Sequence, residues 1–316
     1  MKSLPPYYES RFIRANNAHR AQALWLRSTL LLPTAGPPVA DAWVMIFDPD
    51  GAGNRALKQP YPIDQSDYQY DSWTARIGNT TIDDRTACGS VTGVRSARWD
   101  LRIMPGEEEP VKLLTDRGYK AKFPTAKTMV RHPLASFDGT VELDDVRLQV
   151  EEWTGSINHN WGRRHTPAYA FGQVCGFDDE PKSSLEIVTA HAGLGRVSLP
   201  AATLFVLRHD GREVAVRSVL ATRRTRAEYQ PFSWTFGARV DGVTLDGELT
   251  AERQDVIGLS YTDTDGDTKY CYNSALATCR IRLSGNGMTA AELIATRRAM
   301  FEILTDTRNP SVRLLA

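Results

Sequence analysis

The amino-acid sequence predicts a mainly β protein, an antiparallel meander of the kind found in barrels and sandwiches, with a single helix near its C-terminus. Three observations predict it. Short, partly alternating apolar runs recur along the chain at roughly ten-residue spacing. Turn dipeptides, above all Asp-Gly, fall between many of them. Helical periodicity is confined to one late segment.

In chain order the strand runs are ALWLRSTLLL (23–32), AWVMIFD (42–48), ARWDLRIM (97–104) and TVELDDVRLQVEEW (140–153). The second half continues with YAFGQVCGF (169–177), SLEIVTAHA (184–192), ATLFVLRHDGREVAV (202–216) and GARVDGVTLDGELTA (237–251). Asp-Gly stands at Asp50-Gly51, Asp138-Gly139, Asp210-Gly211, Asp241-Gly242, Asp246-Gly247 and Asp265-Gly266. The pair tolerates the positive φ angles of tight hairpins, so several of these positions are expected to be hairpin loops. Between Pro105 and Pro133 lie three consecutive glutamates, four lysines and several prolines. That stretch reads as a long irregular crossover, either a linker between two β modules or a loop over a cavity. Near the end, Thr289 and Glu292 have capping-box spacing, and Leu293, Met300 and Leu304 with Ile294 and Phe301 form an apolar stripe. They predict a helix over 289–304.

Composition narrows the function. The chain has 316 residues, and 38 basic side chains balance 38 acidic ones. A nucleic-acid or anionic-membrane partner would favour a basic surplus, so neither is expected. The longest apolar run, Ala23 to Pro33, is interrupted by Arg27, so no transmembrane helix is expected either. MKSLPPYYESRF has no apolar core of a secretory signal. Four cysteines without metal-type pairing fit a reducing cytoplasm.

The densest chemistry lies in WTGSINHNWGRRHTPAYAFGQ (153–173). On an extended chain Asn158 and Asn160 share one side, and His159 and Trp161 the other. A His beside a Trp is either a proton donor or acceptor in an apolar pocket, or a polar corner satisfying an irregular turn. His159 and His165 are six apart with no carboxylate or cysteine at ligand spacing, so no metal is expected there. Asp263, Asp265 and Asp267 begin like a calcium loop, but Thr268 and Ser274 occupy the positions that need Gly and Glu, so a hairpin turn is expected. No dinucleotide fingerprint and no GxSxG elbow occurs. Cys175 reads as a core residue, and Cys271 and Cys279 as free thiols facing across a hairpin.

YYESRF (7–12), ALWLR (23–27), HNWG (159–162) and YAFGQVCGFD (169–178) resemble actinobacterial members of the hydroxyneurosporene synthase-like group, the carotenoid 1,2-hydratase family. That group is related to a lipocalin-like superfamily that includes fungal decalin-forming Diels–Alderases. The resemblance spans roughly residues 7 to 305. It implies two successive lipocalin-like β-barrel modules, residues 1–138 with the crossover and 139–316 with the terminal helix. It also implies an apolar ligand in a cavity between or within them, and chemistry without a redox cofactor.

Two functions follow from different classes. One is a cofactor-independent lyase or isomerase, an alkene hydratase or cyclase, acting on a hydrophobic polyene, terpenoid or polyketide. Such catalysis needs a shaped apolar cavity and one well-placed proton. Its candidate catalytic residues are His159, oriented by Asn158 or Asn160, then Tyr169, Glu186 and Glu9. Trp25, Trp99, Trp161, Gln173 and His165 are the candidate substrate-binding residues. The other function is a non-catalytic lipocalin-like carrier of a hydrophobic metabolite.

Overall fold

The computed structural model describes residues 5–191, 193–194, 197–198, 201–285 and 288–316. Twelve strands build the first sheet: β1 (Tyr7–Asn16), β2 (Ala23–Leu32), β3 (Val39–Phe47), β4 (Arg55–Pro62), β5 (Ser66–Tyr68), β6 (Ala75–Ile77), β7 (Thr80–Ile82), β8 (Thr86–Thr92), β9 (Ser96–Met104), β10 (Val111–Lys112), β11 (Ala126–Leu143) and β12 (Val146–Gly162). A short helix, α1 (Asp116–Lys120), lies in the crossover. Along this sheet the order is β4-β3-β2-β1-β12-β11-β9-β8-β7-β6-β5, with β10 on β11, and all pairings are antiparallel.

The second sheet contains β13 (Ala168–Cys175), β14 (Ser184–His191), β17 (Ala202–His209), β18 (Arg212–Val216), β19 (Thr225–Gln230), β20 (Ser233–Val240), β21 (Val243–Thr250), β22 (Ile257–Thr262), β23 (Thr268–Gly285) and β24 (Met288–Thr305). β15 (Gly193–Leu194) and β16 (Val197–Ser198) pair separately. Both large sheets curl into barrel-like bodies. The first sheet runs to Gly162 and the second begins at Ala168, later than the expected division at 138/139. β11 passes through those positions without a break, because it pairs with β12 from Ala126 to Leu143.

Hairpin chemistry explains much of the pairing. Asp210-Gly211 and Asp241-Gly242 both carry positive φ at each residue, 50° and 66° in the first and 51° and 82° in the second, as a tight two-residue turn requires. Asp138-Gly139 is instead a bulge inside β11, with Gly139 at φ 138° and the carbonyl of Asp100 pressed against it. Asp246-Gly247 lies within β21.

The predicted helix over 289–304 is overturned: this segment is the strand β24, paired with both β13 and β23. Up to Ala295 it alternates, with Leu293 and Ala295 buried and Glu292 outside against Arg280 and Arg282 rather than capping. Arg297 at φ 50° marks an irregularity, after which residues 299–304 are buried on both faces. A strand apolar on both sides reproduces the dense spacing of a helical stripe, and pairing to two neighbours decides for the strand.

Three clusters make the core. Ile13, Leu24, Leu101, Phe137 and Trp153 fill the first sheet. Phe205, Trp234, Leu249 and Phe301 fill the second, joined by Leu113 and Leu114 from the crossover. Phe12, Trp25, Met45, Leu259 and Met300 pack between the sheets. β1 is therefore buried on both faces: Tyr7, Glu9 and Arg11 point into the first barrel, and Tyr8, Phe12 and Arg14 toward the second sheet.

Candidate active site

A cavity of about 170 Å³ lies between the two sheets. Tyr8 and Phe12 from β1 and Trp25 and Arg27 from β2 form one wall. Tyr169 and Phe171 from β13, Leu204 from β17 and Met300 and Glu302 from β24 form the opposite one. The crossover supplies Leu113, Leu114 and Phe123, so it is the loop over a cavity rather than only a connection. A smaller cavity of about 60 Å³ adjoins it, and Tyr8, Arg27, His165 and Tyr261 line both.

At the cavity wall Asp263 holds His165. One carboxylate oxygen, Oδ1, accepts from the His165 backbone N–H at 3.1 Å and lies 3.0 Å from Nδ1. The Tyr8 ring stacks on the imidazole at 3.8 Å and 16°. Burial raises the Asp263 pKa, but the bond and charge of His165 and the backbone N–H groups of His165 and Thr264 outweigh it and hold the carboxyl at about 2. An anionic carboxylate on Nδ1 fixes ring orientation and leaves Nε2 as the free nitrogen. Nearby, the Tyr169 hydroxyl donates to Glu302, whose other oxygen accepts from Asn273 at 2.9 Å. Burial and the Glu302 charge raise the Tyr169 pKa well above its ordinary value, so the phenol stays protonated.

Below the cavity lies a buried polar cluster. The Gln173 amide nitrogen donates to Asn158 Oδ1 and Glu186 Oε2, each at 2.8 Å. Its oxygen accepts from Arg14 Nε at 2.5 Å and Ser156 at 2.8 Å. Burial, only partly offset by Gln173 and Arg14, pushes Glu186 up to about 8. A carboxyl that is neutral in the fold stabilises fully below its unfolded pKa near 4.5, and this stabilisation is lost as pH rises through 8. Glu186→Gln should therefore match the wild type within about 1 kcal/mol at pH 5 and become the more stable protein at pH 9. Urea midpoints at both values check this; a difference that does not grow with pH means the carboxyl is ionised in the fold.

A third group sits inside the first barrel. Glu9 is fully buried and accepts from Tyr7 at 2.8 Å, Tyr70 at 2.6 Å and Arg11 Nε at 3.2 Å, with His159 Nε2 at 2.9 Å. His159 stacks on Trp161 at 4.4 Å, on the shared face its spacing predicts.

The sequence candidates thus divide. Asn160, Tyr169, His165 and Trp25 line the inter-sheet cavity. Asn158, Gln173 and Glu186 belong to the polar cluster under it. Glu9, His159 and Trp161 are inside the first barrel, although Glu9 also reaches the smaller cavity. Trp99 packs in the first core. Cys175 accepts from Arg14 Nη2 at 3.1 Å, and Cys271 and Cys279 share strand β23 rather than facing one another. Among the described residues no group of three or more His, Cys, Asp or Glu could hold a metal ion.

Three residues of the cavity wall, Arg27, Tyr261 and Glu302, and the Asp263 that holds His165 escape sequence reasoning. Arg27 was visible only as the charge interrupting an apolar run. Asp263 was hidden in an Asp-rich turn, Glu302 in an apparent helix, and Tyr261 carries no local signal.

No family model matches this sequence. The chain shares its fold with two solved proteins. One is kievitone hydratase from Nectria haematococca, with TM-score 0.56 and 9% identity over 96% of this chain and 90% of that one. The other is a candidate AttH from Nitrosomonas europaea, with TM-score 0.55 and 9% identity over 96% and 93%. In sequence it is similar to the uncharacterized proteins MT0513 and Rv0493c of Mycobacterium tuberculosis. Each is 26% identical over 267 residues, 83% of this chain and 77% of theirs.

Proposed function

We propose that this protein is an acid–base enzyme of the hydratase kind that adds water to, or removes it from, an unsaturated apolar molecule held between the two sheets. The observation that carries the reading is His165, held through Nδ1 by Asp263 at the wall of a largely apolar cavity. In hydration, water's oxygen bonds to one alkene carbon while His165 Nε2 takes its proton. The imidazolium then returns a proton to the neighbouring carbon, so that H and OH are added and the imidazole ends as it began. Dehydration is the reverse; in a cyclisation the imidazole would take a proton from one substrate atom and return it to another, with no net change in hydrogen. The shared fold with a kievitone hydratase supports hydration over other lyase chemistry.

Cavity size narrows the substrate. An engineered cavity of about 150 Å³ holds benzene, and this one is about 170 Å³. Its volume favours a single ring or a monoterpenoid-length chain over a molecule of carotenoid length.

Incubation in heavy water tests the reading. With geraniol and cinnamyl alcohol as probes, hydration followed by mass spectrometry should reveal carbon-bound deuterium and an added oxygen in at least one of them. Tight binding with recovery of both probes unchanged and undeuterated overturns the enzyme in favour of a carrier.

A further inference from the structure

Arg27 stands in the middle of ALWLRSTLLL, the one charged residue of that strand run. Strand alternation turns Leu24 and Leu26 into the first core and Ala23, Trp25 and Arg27 toward the second sheet. The guanidinium is therefore taken out of water, with the residue only 8% exposed. Removing a cation from water costs several kcal/mol unless an opposite charge meets it.

The carboxylate charges that reach the Arg27 guanidinium among the described residues, Glu302 and Asp41, act from beyond ion-pair distance. Its Nε donates to Ser10 Oγ at 2.6 Å and its Nη1 to Tyr261 at 2.8 Å, both neutral groups. Its flat faces meet the rings of Tyr261, Trp25 and Phe12 at 4.8, 5.5 and 6.0 Å. Among the described residues no carboxylate forms an ion pair with it, and Nη2 has no hydrogen-bond partner. The surrounding acids are committed elsewhere: Glu302 to Tyr169 and Asn273, Asp263 to His165, and Asp41 to Lys58 at 3.5 Å. The other two buried arginines of this region differ. Arg11 has Glu9, and all three nitrogens of Arg14 donate to Gln173, Asn16 or Cys175.

We infer that the ligand of the inter-sheet cavity carries an anionic oxygen, a carboxylate or ionised enol, and that Arg27 binds it while Phe12, Trp25, Phe171, Leu204 and Met300 receive an apolar body. The inference rests on the reading of this cavity as the substrate site. Arg27 lines both cavities, so the charged end of the ligand sits near their junction, beside His165. Guanidinium and carboxylate match in planar, two-pronged geometry, and such bonds are about twice as strong as neutral ones. Pairing with the ligand also supplies a counter-charge in direct contact, where Glu302 and Asp41 act only from a distance.

Geranate and geraniol share one skeleton and differ in charge, so the pair isolates the effect. Titration at pH 8, followed by quenching of tryptophan fluorescence and by calorimetry, should show geranate binding at least about 10-fold tighter than geraniol to the wild type. Arg27→Met, which keeps an unbranched chain, should erase that preference while holding geraniol affinity within about 3-fold. Arg27→Lys should keep part of it, and serves as the readout if the Met variant does not fold. Lys127→Met should leave the preference intact, although Lys127 also lines the cavity. Equal affinities in the wild type, a preference surviving in folded Arg27→Met, or its loss in Lys127→Met each overturn the inference and leave the cavity as a binding site. Failure of the folded wild type to bind either probe overturns the inference together with the substrate site itself.

Discussion

Asp263→Asn is expected to lower turnover about 10²–10⁴-fold, the usual scale for losing one acid–base function. Asp263 Oδ1 accepts from two donors of His165 and from the Thr264 backbone N–H at 2.7 Å. An amide of the same shape keeps the packing but gives up the charge that favours a proton on Nδ1. His165→Gln should fall as far, because glutamine hydrogen-bonds yet does not exchange a proton near neutral pH. His159→Gln gives the contrast. Its imidazole serves Glu9 and stacks on Trp161 inside the first barrel, so its loss should lower the melting temperature and leave turnover largely unchanged in the folded protein. Steady-state rates and melting curves on the three variants decide between the histidines. Normal turnover in Asp263→Asn and His165→Gln, with a collapse in His159→Gln, would return the proton transfer to His159 and Glu9.

That contrast shows what the residue string made legible. Short apolar runs between turn residues are local, so β2, β9, β13 and β14 stand close to where the runs place them, although only β9 alternates strictly in burial. The stacking of His159 on Trp161 is also local, a consequence of two residues one strand step apart. The inter-sheet cavity is not local. It joins Tyr8, Arg27, His165, Tyr261 and Glu302, residues nearly the whole chain apart, through the meeting of two sheets whose relative placement no short pattern encodes. β24 failed for a related reason. Its two faces serve different cores, Ala299, Phe301 and Ile303 one and Met300 and Leu304 the other, and two half-buried stripes on one strand sum to a helical spacing. Charges within apolar strands, Glu9, Arg11, Arg14 and Arg27, were the clearest unused signal. A strand tolerates a buried ionised group only where a partner waits for it, in the protein or in a ligand.

For Glu9 the partners are in the protein, and its replacement should be the most damaging single change in the first barrel. Glu9→Gln is expected to destabilise by about 3–5 kcal/mol at pH 7, the range for breaking a buried ion pair on one side. The cost comes from what is left behind. Arg11 is fully buried, its Nη1 donates to the carbonyls of Gln69 and Thr74, and the rings of Tyr68, Tyr70 and Trp73 enclose it at 4.9–5.3 Å. Without Glu9 that guanidinium has no counter-charge among these groups, and two tyrosine hydroxyls lose a charged acceptor. Burial raises the Glu9 pKa, but bonds from His159, Tyr70 and Tyr7 and the charge of His159 together bring it down to about 2. A carboxyl lowered from 4.5 to about 2 contributes stability that is complete above 4.5 and lost as pH falls toward 2. The gap between wild type and Glu9→Gln should therefore be widest near neutrality and narrow progressively below pH 4. Urea unfolding at pH 7 and pH 3 measures both values. Adding Arg11→Met to Glu9→Leu removes both charges and should recover much of the loss, since an apolar pair of similar volume is often as stable as the ions it replaces. A Glu9→Gln protein within about 1 kcal/mol of wild type at pH 7 would mean that the aromatic cage alone holds Arg11, and that the four contacts on Glu9 contribute nothing net to the fold.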